Sequence, residues 1–275
     1  MHPISVTRLP FTLTESSVLA VIPARYDSTR FPGKALANLD GHPMIEHVYR
    51  RAAAAGLVHG TVVATDDERI ARAVEGFGGA VIMTRRDHAS GTDRIAEAVS
   101  ALPCRLVVNV QGDEPLLEPS TIDAAVQPML DDATLEMTTL CRPFADPHEF
   151  ASPHVVKVVC DNRGRALYFS RALIPGSSAH VGLYVYRRDV LLRLAALPPA
   201  SQEETEKLEQ LRALAHGIGI RVIETRHASV GVDTPEDLER VRQMMARPRS
   251  PAELASSGGV PPKLREFPRS AGGPR

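Results

Sequence analysis

Ser17-Val-Leu-Ala-Val-Ile22 runs directly into Pro23-Ala-Arg-Tyr-Asp-Ser-Thr-Arg-Phe-Pro-Gly-Lys34. After Ser17 the first segment is apolar and rich in β-branched side chains, the pattern of a short strand buried on both faces. The second carries three cations, Arg25, Arg30 and Lys34, two hydroxyls, Ser28 and Thr29, and Gly33, where backbone can approach a ligand closely. In open α/β sheets ligands collect beyond the carboxyl ends of strands. A lysine point charge, forked arginine donors and backbone N–H groups are the equipment for a polyphosphate. A solvated basic loop is the plain alternative. G-x-G-x-x-G is absent, and the Gly-Lys pair lacks the spacing and the Ser/Thr of a Walker A loop.

Outward from this segment the chain alternates. A helix is predicted over Pro43 to Ala55, with Ile45, Val48, Ala52 and Ala55 on one face, Pro43 in its first turn and Gly56 at its stop. Thr61–Thr65 reads as a strand, and the helix after it carries Ile70, Val74 and Phe77 on one side. Ala80–Met83 is a third strand, Thr92–Leu102 a helix and Leu106–Val110 a fourth strand. This β-α-β-α order predicts a mostly parallel sheet covered on both faces. Beyond residue 135 or so the pattern is mixed. Val155–Val159 and Arg165–Tyr168 flank a turn at Asp161-Asn-Arg-Gly164 and read as a hairpin. His180–Tyr186 is another strand, and Glu203–His216 and Pro235–Met245 are helices. The expected fold is therefore α/β: a doubly wound, mostly parallel nucleotide-binding sheet with a smaller strand-rich lobe and a helical C-terminal end. Residues 1–17 read as an irregular leader, 18–246 as the domain, with the lobe at about 140–216, and the Pro-rich 247–275 as a disordered tail.

The 275 residues carry 32 Lys+Arg and 33 Asp+Glu, a formal net charge of −1. So even a balance gives no general pull towards nucleic acid or membrane. Cys104, Cys141 and Cys160 are odd in number and widely spaced, which excludes a disulfide framework and a zinc-type pairing. They read as buried thiols in a reducing compartment. No stretch is long enough to span a membrane, and Met1–Ser17 lacks the order of a signal peptide, so the expected location is cytoplasmic.

Val21-Ile-Pro-Ala-Arg25 followed by Ser28-Thr-Arg-x-Pro-Gly-Lys34 resembles the opening of the 3-deoxy-manno-octulosonate (KDO) cytidylyltransferase family. The likeness continues through Gly41-x-Pro-Met-Ile45, Ala64-Thr-Asp66, His88-x-Ser-Gly-Thr-Asp-Arg94, Val108-Asn-Val-Gln-Gly-Asp-Glu-Pro115 and Ala166-Leu-Tyr-Phe-Ser-Arg171. Leu208-Glu-Gln-Leu-Arg212 and Gly231-Val-Asp-Thr-Pro-Glu-Asp-Leu238 complete it. The resemblance implies transfer of CMP from CTP to KDO, with pyrophosphate leaving, Mg²⁺ as cofactor and a homodimer as assembly. It implies catalytic roles for Arg25, Lys34 and Asp113, and metal binding by Asp113 and Asp233. Nucleotide contacts are implied for Pro23, Ala24, Arg25, Ser28, Arg30, Lys34, Arg86, His88, Ser90, Gly91, Thr92, Gln111 and Gly112.

Read as residues alone, these positions keep plainer alternatives. Asp113 follows a buried strand, the usual place for a Mg²⁺ ligand in nucleotide enzymes. Glu114 points elsewhere if the chain is extended there. Glu118 reads as a loop carboxylate capping the helix after Pro119. Asp233, just before Thr234-Pro235, reads equally as a structural acid at a helix start. Ser90-Gly-Thr-Asp-Arg94 fits an N-terminal cap, and His88 beside Asp87 fits a surface residue.

On the acceptor side the resemblance implies sugar-acid contacts from His180, Tyr184, Glu206 and Gln210. Glu203, Glu206 and Gln210 fall at i, i+3 and i+7 and so share a helix face, while Leu208, Leu211 and Ala215 face the core; a solvated stripe is the alternative. One departure stands out. The family carries a longer segment between its Ile-Pro and His-x-Gly-x-Tyr elements, whereas only Gly176-Ser-Ser-Ala179 separates Pro175 from His180. KDO is the first choice of acceptor. The shortened segment leaves another ulosonic acid or a small phosphonate as the alternative.

Overall fold

The computed structural model describes residues 9–27, 30–227 and 230–246. Ser28, and the expected leader up to residue 8 and tail from 247, lie outside the described residues. The first strand is β1 (Val18–Ala24). A two-stranded ribbon, β2 (Asn38–Leu39) and β3 (His42–Pro43), leads into α1 (Met44–Ala53). Then follow β4 (Gly60–Thr65), α2 (Glu68–Gly76), β5 (Ala80–Met83), α3 (Gly91–Val99), β6 (Leu106–Asn109) and α4 (Pro119–Asp131). The second half holds β7 (Met137–Arg142), α5 (Pro147–Ala151), β8 (Lys157–Cys160), β9 (Ala166–Ser170), β10 (Ser178–Arg187) and α6 (Arg188–Ala196). It closes with α7 (Ser201–Glu206), α8 (Gln210–Ala215), β11 (Ile220–Glu224) and α9 (Pro235–Ala246).

The main sheet runs β11-β7-β10-β6-β1-β4-β5. β6, β1, β4 and β5 are parallel, as is β11 against β7, while β10 is antiparallel to both β6 and β7. Alternation along the central strands divides the core. Leu19, Val21, Val62, Ala64 and Ile82 face one side, where α3, α6 and α8 contribute Ile95, Val99, Leu191 and Leu211. Val18, Ala20, Ile22, Val63 and Val81 face the other, where α1, α2 and α4 contribute Ile45, Val48, Ile70, Val74, Ile122 and Met129. Each fully buried aliphatic side chain contributes about 1.5–3 kcal/mol. The fold is the expected doubly wound α/β one. β7, β10 and β11 extend the main sheet, and only the β8–β9 hairpin branches from the start of β10. Leu9, Phe11 and Leu13 of the leader pack against the core.

The expected helix over Glu203–His216 is two helices. Lys207 adopts a left-handed φ of 57° and ends α7, so Glu206 and Gln210 do not share one helix face. Leu208 and Leu211 are buried as expected, but Ala215 is exposed. Glu203 is no solvated residue. Its carboxylate is buried and takes two bonds from Arg212, at 2.8 and 2.6 Å. Glu118 precedes α4 but makes no side-chain cap bond.

Candidate active site

The chain leaves β1 at Pro23 and Ala24 and turns back through Gly33, whose N–H donates to the Tyr26 carbonyl at 2.8 Å. Gly33 has φ 70°, and a Cβ there would lie 3.1 Å from the Tyr26 ring, so both conformation and space call for glycine. The turn launches a 3₁₀ segment, Lys34–Leu36, and aims Lys34 across the carboxyl end of the sheet. Gly112, beyond β6, packs where a Cβ would sit 3.1 Å from the Pro23 carbonyl, which draws the β1 and β6 exits together. Asp233 arrives from far along the chain. Leu238 and Val241 of α9 dock with Val232 on Leu39 and Met44, and the Val232 N–H donates to the Asp113 carbonyl at 2.9 Å.

These contacts converge at one point. The Lys34 ammonium donates to Asp113 Oδ2 at 2.6 Å, to Asp233 Oδ1 at 3.1 Å and to the Val232 carbonyl at 3.1 Å. Arg30 Nη2 pairs with Asp233 Oδ1 at 3.0 Å. Burial pulls the Lys34 pKa down, but Asp113 and then Asp233 outweigh it and leave it above 10.5. Asp233 is not an acid of the helix start. Thr234 accepts from the Asp237 N–H, Asp237 accepts from the backbone of Asp233 and Thr234, and the Asp233 carboxylate turns to the cations. Two carboxylates and a carbonyl are hard oxygen donors that suit a divalent ion. Among the described residues no cluster of three or more His, Cys, Asp or Glu is assembled, so phosphate oxygens and water would complete the shell.

The residues expected on the nucleotide side lie in and after β1, after β5 and after β6. Arg25 donates to the His88 carbonyl at 2.9 Å. The His88 side chain is 6% exposed, so it is not a surface residue, and its Nε2 pairs with Glu97. Ser90 is the cap of α3, and its hydroxyl accepts the Asp93 N–H at 3.1 Å. Gly91 lies against Pro23, and Arg86 is exposed in the loop after β5. Gln111 donates to Asn109 Oδ1 at 3.2 Å. Thr92 donates at 2.5 Å to Glu209, just before α8.

On the acceptor side, β10 carries His180 and Tyr184 past a register shift between Val181 and Tyr184, and such a bulge re-aims side chains. His180 bonds Thr139 at 2.9 Å and lies edge-on to Phe169, and burial pushes its pKa down from 6.5. Burial raises Tyr184 and Tyr186 above 10. Gln210 is buried with an unpartnered Nε2. Glu206 accepts from the Ser170 hydroxyl at 2.6 Å and the Arg171 N–H at 2.9 Å.

Several residues escaped the sequence reading. Glu209 takes the Thr92 hydroxyl and Asn109 takes the Gln111 amide; both lay within segments singled out for other reasons. Arg94 is wholly buried, donates to Thr84 at 2.5 Å and pairs with Asp66 at 3.1 Å, joining the loops after β4 and β5. A basic residue three places into an amphipathic helix gives no signal of that depth.

A family model described as Cytidylyltransferase matches residues 19–222. A Geobacter sulfurreducens protein named 3-deoxy-manno-octulosonate cytidylyltransferase is 54% identical over 248 residues, covering 83% of this chain and 99% of its own length. The chain belongs to the 3-deoxy-manno-octulosonate cytidylyltransferase family. A Pelobacter propionicus relative of the same name is 54% identical over 246 residues, covering 82% of this chain and 96% of its own. A solved structure described as CMP:2-keto-3-deoxy-manno-octonic acid synthetase complexed with CTP superposes with a TM-score of 0.81. It is 47% identical and covers 84% of this chain and 99% of its own. A Leptospira borgpetersenii cytidylyltransferase, 17% identical with a TM-score of 0.60 over 86% of this chain and 89% of its own, shares the fold.

Proposed function

We propose that the protein transfers CMP from CTP to KDO, releasing pyrophosphate. The observation that carries this is the convergence of Lys34, Asp113 and Asp233 on one point at the carboxyl end of the sheet, in a chain of this family. The acceptor hydroxyl attacks the α-phosphorus in line. Arg25 and Lys34 stabilise the negative charge of the transition state and of the departing pyrophosphate. Asp113 and Asp233 would hold Mg²⁺, which supplies charge neutralisation on the phosphates. Pro23, Ala24, Arg30 and Gly112 border the triphosphate, while Arg86, Gly91, Thr92 and Gln111 lie on the base side. His88 and Ser90 act through the backbone, since their side chains are engaged with Glu97 and with the α3 cap.

His180, Tyr184 and Gln210 are the proposed acceptor contacts, with the Gln210 amide the group most in need of a partner. Glu206 fastens α7 to the end of β9. The alternative acceptor is not favoured: relatives matched over nearly their whole length bear the KDO name. The short segment before β10 closes as a compact turn, with Ser177 bonded to the Ile174 carbonyl through both N–H and hydroxyl. A pyrophosphate-release screen with CTP against KDO, other ulosonic acids and small phosphonates tests the reading. KDO should give by far the highest kcat/KM; turnover with a phosphonate and none with KDO would overturn it.

The proposed assembly is a homodimer through the β8–β9 hairpin and the segment after it, where Leu167 and Leu173 are 59% and 57% exposed and Tyr168 is exposed as well. Light scattering should give twice the chain mass for the wild type and the monomer mass for Leu167→Glu. No helix among the described residues is long and apolar enough to cross a membrane. Burial raises the three free thiols to about 11, 12 and 11 for Cys104, Cys141 and Cys160, which keeps them protonated.

A further inference from the structure

Three oxygen atoms, Asp113 Oδ2, Asp233 Oδ1 and the Val232 carbonyl, surround one point within 2.6–3.1 Å, and the Lys34 ammonium fills it. We infer that Lys34 is the resident counter-cation of the two aspartates, and that a divalent ion enters only as Lys34 moves from them to the phosphates of the incoming nucleotide. The inference rests on the proposed role of Asp113 and Asp233, and concerns what occupies their position before the metal.

A magnesium ion draws its oxygens to about 2.0–2.1 Å, inside the distances Lys34 now holds. A divalent ion that took Asp113 Oδ2 and Asp233 Oδ1 would therefore sit on the ammonium or directly against it, two like charges with no water between them. The ammonium must leave for the ion to bind. Its four-carbon stem permits that movement, and its donors are rotatable. The 3₁₀ turn at Lys34–Leu36 fixes only the base of the stem. The destination is supplied by the reaction itself, because a triphosphate offers acceptor oxygens to a lysine on the rim of the same cleft.

The exchange keeps every charge paired. Without nucleotide, Lys34 and Arg30 oppose Asp113 and Asp233, so the carboxylates stay together without a metal. With metal and nucleotide, the divalent ion takes the carboxylates and the two side chains face the phosphates. The consequence is a site with poor affinity for the free ion and good affinity for the metal–nucleotide complex. Metal alone is opposed by the ammonium, and nucleotide alone leaves the aspartates facing phosphate without a countercharge. Lys34 thus couples the two ligands as well as contacting one of them.

The test is direct binding of Mn²⁺ to the full chain without nucleotide, read as free Mn²⁺ by electron paramagnetic resonance. The wild type should bind weakly. Lys34→Met and Lys34→Gln should each bind at least tenfold more tightly, although both lose activity. The glutamine variant is neutral yet still carries N–H donors, so it serves if the methionine variant fails to fold. If neither neutral variant binds Mn²⁺ more tightly than the wild type, the inference is wrong. Adding Asp113→Asn to Lys34→Gln separates it from the reading beneath. Loss of the tightened binding places the ion on these carboxylates and supports both, whereas binding unchanged by Asp113→Asn removes the metal assignment along with this inference.

Discussion

Replacing Arg212 by alanine would leave the Glu203 carboxylate buried without its countercharge. The two side chains are 9% and 10% exposed and meet through a forked pair of bonds at 2.8 and 2.6 Å. Removing one member of such a pair costs about 3–5 kcal/mol, because the remaining charge stays out of water. Glu203 keeps one compensation, the Ala200 N–H at 3.2 Å, which places the expected loss near the lower end, about 3 kcal/mol. For a domain of this size each kcal/mol shifts Tm by about 2–4 °C, so the melting temperature should fall by roughly 9 °C. Urea unfolding followed by circular dichroism and by tyrosine fluorescence, with coincident transitions, measures it. The pair Glu203→Leu with Arg212→Met should recover most of the loss, since an apolar replacement of similar volume leaves no charge uncompensated. A loss below about 1 kcal/mol for Arg212→Ala would refute the reasoning, because an exposed pair costs no more than that.

Three further outcomes follow from particular contacts. Gly33→Ala places a side chain in the left-handed region against the Tyr26 ring and should cost about 1–2 kcal/mol, with kcat falling as Lys34 is displaced; unchanged stability in urea would count against the turn geometry. His180 has a folded pKa below its unfolded 6.5, so the folded state binds fewer protons, and its contribution is complete above 6.5 and lost as pH falls below it. The urea midpoint of the wild type should accordingly drop more steeply between pH 7 and pH 5 than that of His180→Gln, and parallel profiles would show an imidazole that is not desolvated. Thr92→Val removes the 2.5 Å bond to Glu209 and should raise KM for CTP and for the acceptor together, measured by initial rates with each substrate varied. An effect on CTP alone would mean that this bond does not join the two sides.

The parallel half of the fold was legible because its physics is local. Buried strands such as Val18–Ala24 are continuous apolar runs, and helices such as Met44–Ala53 show a plain 3.6-residue stripe. The later strands were harder to read. Met137–Arg142 and Ile220–Glu224 mix Thr, Cys, Arg and Glu with their apolar residues, and their place in the main sheet is decided by partners distant in sequence. The break at Lys207 was hidden for a similar reason: a lysine gives no sign of a positive φ, and Leu208 continues the helical spacing across it. Glu203 misled because carboxylates are seldom buried, and its partner Arg212 lies on the other side of that break.

The cationic turn after β1 was legible in outline, since three basic residues beyond a strand end are visible without a structure. That Asp113 and Asp233 face the same ammonium was not. It depends on α9 docking against Leu39 and Met44, a long-range contact for which spacing offers no rule. The resemblance supplied the pairing, and the backbone bond from Val232 to Asp113 supplies its physical cause.

The central claim is that Lys34, Asp113 and Asp233 together form the seat of a metal–triphosphate complex. Calorimetric titration of CTP in the presence of Mg²⁺ into the full chain tests it most directly. Saturable heat at one site per chain is predicted for the wild type, weakened at least tenfold by Asp113→Ala or by Lys34→Ala. No heat with the wild type, or undiminished binding by both variants, would contradict the account.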